Sequence, residues 1–124
     1  MGVVYHTHYL IWCEIGRTDF IRERGATYAG LERDGLLLAV AEAQIRFHAP
    51  ARYDDLIHVE TWLERVQSRT VTFGYEIWKA DAEPRERLAT ATTKLIALDR
   101  TGAPRTLPAE LIRLFEHAPD QESS

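Results

Sequence analysis

The densest run of chemically capable side chains is Gly2-Val3-Val4-Tyr5-His6-Thr7-His8-Tyr9, directly ahead of a helical pattern. A glycine-led segment entering a helix presents unpaired backbone N–H groups at the positive end of the macrodipole. Such a place can polarise a carbonyl oxygen and hold the oxyanion that forms when the carbonyl is attacked. Two tyrosines and two histidines stand ready to shape a pocket there. His6 and His8, at i and i+2 without a third ligand nearby, are better read as polar residues at a helix start than as a metal pair. Cys13 falls on the apolar helical face, as a small core residue rather than a nucleophile. Asp54 and Asp55 are adjacent and point to opposite sides of an extended chain, so they orient a turn rather than form a carboxylate pair.

These residues need a helix to carry them and a sheet to hold the helix. Tyr9, Trp12, Cys13, Gly16 and Phe20 recur at i, i+3, i+4, i+7 and i+11, one face of a 3.6-residue period. Arg17, Asp19, Arg22 and Glu23 are placed mostly off that face, and Gly25 supplies the C′ position. Gly16 costs about 1 kcal/mol against Ala in mid-helix, so it is expected where another backbone comes close. A shorter helix is expected over Tyr28–Asp34, ended by Gly35. From Leu36 the period changes to two, with Ala39, Ala41, Ala43, Ile45 and Phe47 on one face of a strand ending at Ala49-Pro50.

Three more strands are expected. The first, Ile57–Val66, puts Ile57, Val59, Thr61 and Leu63 on one side; Arg69–Ala80 and Leu88–Asp99 follow. A terminal helix is read at Pro108–His117 and a frayed polar tail at 118–124. One long helix followed by four long antiparallel strands is an α+β pattern, a single domain with its sheet wrapped around a central helix: the hotdog fold. Trp62 and Trp78 fall on the sheet face away from the helix, where large aromatics suggest subunit contacts.

The segment Gly2–Leu10, followed by Trp12-Cys13-Glu14-Ile15-Gly16-Arg17-Thr18-Asp19-Phe20, resembles the signature of the 4-hydroxybenzoyl-CoA thioesterase-like group of hotdog acyl-CoA thioesterases. Ala49-Pro50-Ala51-Arg52-Tyr53-Asp54-Asp55 and Gly102-Ala103-Pro104-Arg105-Thr106-Leu107-Pro108 resemble two further motifs of that group, so the likeness covers nearly the whole chain. The resemblance implies hydrolysis of acyl-CoA thioesters without a metal or tightly bound cofactor. Gly2, Val4, Tyr5 and His6 match the catalytic loop, with the backbone N–H at His6 polarising the thioester carbonyl. Tyr9 and Glu14 match helix positions facing the site, while Ser68 and Arg69 lie near the basic position that meets coenzyme A phosphates. It also implies a homodimer or homotetramer, with each site between one subunit's helix and its partner's strands.

The group's catalytic Asp would precede Met1, so the expectation is that the chain starts inside the motif and lacks one strand. Glu14 is then the best carboxylate for a general base, weighed against a rim carboxylate that positions Tyr5 or His6. A non-catalytic acyl-CoA or acyl-carrier binding module is the rival reading. A hydratase is disfavoured for want of its Asp/His motif.

The remaining composition bounds the answer. The chain has 124 residues, one domain's worth. Its formal net charge of −4 argues against a nucleic-acid partner. A single cysteine fits a reducing compartment, and with no export-type N-terminus and no apolar run long enough to span a membrane, a cytoplasmic location is expected.

Overall fold

The computed structural model describes residues 6–116. Helix α1 spans His6–Glu23 and α2 spans Tyr28–Arg33; strands β1 (Leu37–Phe47), β2 (Ile57–Val66), β3 (Thr70–Lys79) and β4 (Glu86–Leu98) follow, and α3 (Ala109–Glu116) closes the order. The strands form one antiparallel sheet in the order β1-β4-β3-β2. Two hairpins join β2 to β3 and β3 to β4. The 48–56 connection must therefore cross from one sheet edge to the other.

Alternation decides which face is covered. Val71, Phe73, Tyr75 and Ile77 on β3 and Ala89, Ala91, Thr93, Leu95 and Ala97 on β4 are all buried toward α1. Phe20 of α1, Phe73 of β3 and Phe115 of α3 stack edge to face, with centroids 5.3 Å and 6.0 Å apart, and tie both helices to the sheet. Gly25 and Gly35 take positive φ angles of 94° and 86° just past α1 and α2, the left-handed C′ conformation that glycine adopts without strain. Thr27 caps α2, its hydroxyl accepting from Gly30 N–H at 3.0 Å.

Two expectations change. A bulge between Val40 and Glu42 shifts the β1 register, so Leu38 and Val40, not Ala39 and Ala41, share the core-side face with Ala43, Ile45 and Phe47. One extra residue reverses the alternation beyond it, which no period-two reading of sequence can foresee. Arg17 also departs from expectation. It lies on the core side of α1 and is only 7% exposed.

The two tryptophans do face away from the helix, as read, but they find partners within the chain. Trp62 lies over Gly74, where an added Cβ would stand 2.5 Å from the indole, and its Nε1 donates to Glu64 at 2.9 Å. Trp78 Nε1 donates to Glu60 at 3.3 Å, with the Arg85 guanidinium stacked 4.3 Å from the ring centroid.

Candidate active site

Helix α1 begins at His6, and its first turn contains no acidic residue to neutralise its positive end. Gly2, Val4 and Tyr5 lie outside the described residues, as do residues 118–124, read from the sequence as a tail; of His6 the backbone position alone is described. The crossing connection runs past this end of the helix. The backbone of Ala51 comes up to the Tyr9 hydroxyl, and the Tyr53 ring stands edge-on to His8 at 6.3 Å. Asp55 accepts from Arg52 N–H at 2.7 Å and lies 3.5 Å from Lys79, which fixes the turn as the Asp-Asp pattern implied.

Tyr9 is 2% exposed and forms the floor of this corner, its ring edge-on to Trp12 at 4.9 Å and to Phe47 at 4.8 Å. Burial pushes its phenol above the ordinary value; the Ala51 backbone opposes this and the Asp55 charge adds to it. Phe47 and Tyr53 leave aromatic surface open around the same corner. An unneutralised helix end, an imidazole and aromatic surface therefore converge, a setting that suits an acyl group with a polarisable carbonyl.

The other expected site residues lie elsewhere. Glu14 faces solvent on an outward strip of α1 with Leu10, Ile11 and Ile15, and its backbone carbonyl accepts from the Thr18 hydroxyl at 2.8 Å. Eight residues of helix separate it from His6, an axial rise of about 12 Å, too far for a carboxylate to reach a carbonyl held at the same helix's start.

Ser68 and Arg69 occupy the β2–β3 turn with exposed side chains, while their carbonyls accept from Leu107 N–H at 2.9 Å and Ala97 N–H at 2.8 Å. That turn adjoins Val71, whereas the corner around Phe47 adjoins Ala89 and Ile77; six strand residues, about 20 Å, separate the two ends. Within one chain the corner at the start of α1 and the Ser68–Arg69 turn lie at opposite ends of the sheet.

A group that sequence reasoning placed off the core face lies deeper under α1. Arg17 Nε donates to the Tyr28 hydroxyl at 3.0 Å and Nη1 to the Tyr75 hydroxyl at 3.3 Å, and the Tyr75 and Thr93 hydroxyls are 2.6 Å apart. The signal was present, since Arg17 falls four residues after Cys13 and three before Phe20, inside the apolar stripe. Burial opposes the guanidinium charge, but the Tyr75 and Tyr28 hydroxyls outweigh it and the group is held above its ordinary value. Burial raises the Tyr75 phenol in turn, against the bonds from Arg17 and Thr93.

A family model described as the thioesterase superfamily matches residues 1–84. YneP of Bacillus subtilis (strain 168) is 36% identical over 83 residues, covering 67% of this chain and 60% of that protein, so the match spans less than two thirds of YneP. Acyl-CoA thioesterase YbgC of Haemophilus influenzae is 31% identical over 118 residues, covering 94% of this chain and 84% of its own length. Among solved structures, DHNA-CoA thioesterase from Staphylococcus aureus superposes with a TM-score of 0.84 at 28% identity, covering 93% of this chain and 78% of that one.

Proposed function

The chain belongs to the thioesterase superfamily, and on that premise we propose that it hydrolyses acyl-CoA thioesters to the free acid and coenzyme A. The observation that carries the reading is the family match over residues 1–84, which takes in the start of α1 and the crossing connection beside it. The acyl carbonyl is polarised by the N–H groups of the first helical turn. A water oxygen bonds to the carbonyl carbon, the developing oxyanion is held by those donors, the C–S bond breaks, and the proton lost by water ends on the departing sulfur. Donors fixed by a helix backbone need no reorganisation as charge develops, which is where their advantage over water lies.

The active unit is a homodimer or homotetramer. The outward strip of α1, which leaves Leu10, Ile11 and Ile15 without a cover in a single chain, supports this. Open apolar surface at Val40 supports it as well. Among the described residues no helix is long and apolar enough to cross a membrane.

The test is release of free thiol from short-chain, medium-chain and aryl acyl-CoAs, followed with a thiol reagent. Saturable turnover of at least one class is expected. Tight acyl-CoA binding without thiol release from any of them would replace this reading with that of a binding module.

A further inference from the structure

We propose that Arg17 is a positioning residue: it sets where α1 stands along the sheet, and so where the first helical turn presents its N–H groups. The catalytic half of this inference rests on the thioesterase reading; the structural half does not. Arg17 joins α1 to α2 through Tyr28, to β3 through Tyr75 and, through Tyr75, to Thr93 of β4. Among the described residues no Asp or Glu forms an ion pair with it.

A buried charge without a counter-charge is a poor source of stability, and an apolar side chain of similar length often serves folding as well or better. What a guanidinium supplies instead is direction, because its donors leave a rigid planar fork at fixed angles. The other contacts of α1 with the sheet are chiefly apolar, as in Phe20 on Phe73, and such contacts lack the fixed direction of a hydrogen bond.

The one other indexing feature is the neighbouring residue. Gly16 comes so close to β2 that an added Cβ would overlap the Thr61 hydroxyl and stand 3.0 Å from Val59 Cγ1. Gly16 thus sets how near α1 lies to β2, and Arg17 sets its rotation and its place along the axis. Eleven residues, about 17 Å, separate Arg17 from His6, and a rigid helix carries a slip at one end undiminished to the other. Misplacement of about 1 Å at a reacting centre costs as much as a hundredfold in rate.

The experiment compares the chain with Arg17→Met, Arg17→Lys and Tyr75→Phe by thermal midpoint, by amide hydrogen exchange in α1 and β4, and by kcat and KM for an acyl-CoA. Methionine fills the volume, leaves the Tyr75–Thr93 pair intact, and leaves Tyr28 near enough to solvent to bond water. Arg17→Met is expected to keep the thermal midpoint, to speed exchange in the first half of α1 by about tenfold while β4 is unchanged, and to lower kcat by about tenfold or more with KM held within about twofold. Arg17→Lys recovers part of both losses, and Tyr75→Phe shows the same α1-specific change at smaller size.

Parental exchange in α1 of Arg17→Met, or equal loss of protection in α1 and β4, would overturn the proposal. Should Arg17→Met fail to fold, parental exchange in Tyr75→Phe overturns it equally. A parent chain that hydrolyses no acyl-CoA removes the thioesterase reading alone, since the exchange data still decide the role of Arg17.

Discussion

Cys13 has no exposed surface under α1, and burial pushes its thiol up to about 11, with the Arg17 charge opposing. A thiol held so far above neutrality carries almost no thiolate, so alkylation by iodoacetamide should require unfolding and proceed at the unfolding rate. Its titration also fixes the sign of a pH effect. The folded value lies above the ordinary value of 9.0, so the stabilising preference for the neutral thiol is complete below pH 9 and is lost as pH rises toward 11. Tyr9 and Tyr75, also raised by burial, act in the same direction at higher pH. The urea midpoint should fall between pH 9 and 11, and fall less steeply in Cys13→Ala; identical slopes would show that Cys13 is not the group responsible.

At the scale of elements, α1 meets the sheet through an apolar seam of Tyr9, Cys13, Phe20 and Ile21 that is keyed at two points, Gly16 and Arg17. Gly16→Ala gains about 1 kcal/mol in helix propensity but places a methyl on Thr61, and overpacking of that kind costs about 1–3 kcal/mol. A net loss of stability in denaturant titration is expected, restored by the second change Thr61→Ala; Gly16→Ala as stable as the parent would mean that α1 can back away from β2 freely.

The first helical turn offers a second check. His8→Asp adds a carboxylate where it favours the helix by about 0.3–1 kcal/mol but competes with the oxyanion for the same donors. Turnover should drop by about tenfold relative to His8→Asn while the thermal midpoint holds or rises. Glu14, about 12 Å along the axis from His6, should be dispensable as a base, so Glu14→Gln is expected to keep kcat within about threefold.

Across the whole molecule, the long sheet separates two groups that the chemistry would use together. Arg69→Ala should raise KM for acyl-CoA by about fivefold or more and leave kcat alone, with no effect on an acyl-pantetheine that lacks the nucleotide phosphates. Light scattering at micromolar concentration should give at least a dimeric mass. A monomer with full activity would mean that each chain builds its site unaided.

Local periodicity and turn chemistry made most of the fold legible in the sequence. The strand Ile57–Val66 needed no adjustment, the other strands moved by one or two residues at their ends, and Gly25 and Gly35 end their helices as their lack of a Cβ predicts. The motif Gly2–Tyr9 was legible as a place to polarise a carbonyl, since residue types around a helix start are a local property, and its resemblance to a thioesterase signature implied thioester chemistry. Three matters were left to the tertiary structure. The bulge in β1 reversed a face, the crossing connection brought Ala51 and Tyr53 to the helix start, and the hydroxyls of Tyr28 on α2 and Tyr75 on β3 drew Arg17 inward. Each depends on partners distant in the chain. A sequence carries its own periods, but where a strand slips by one residue, or which buried donor finds an acceptor, is set by what packs against it.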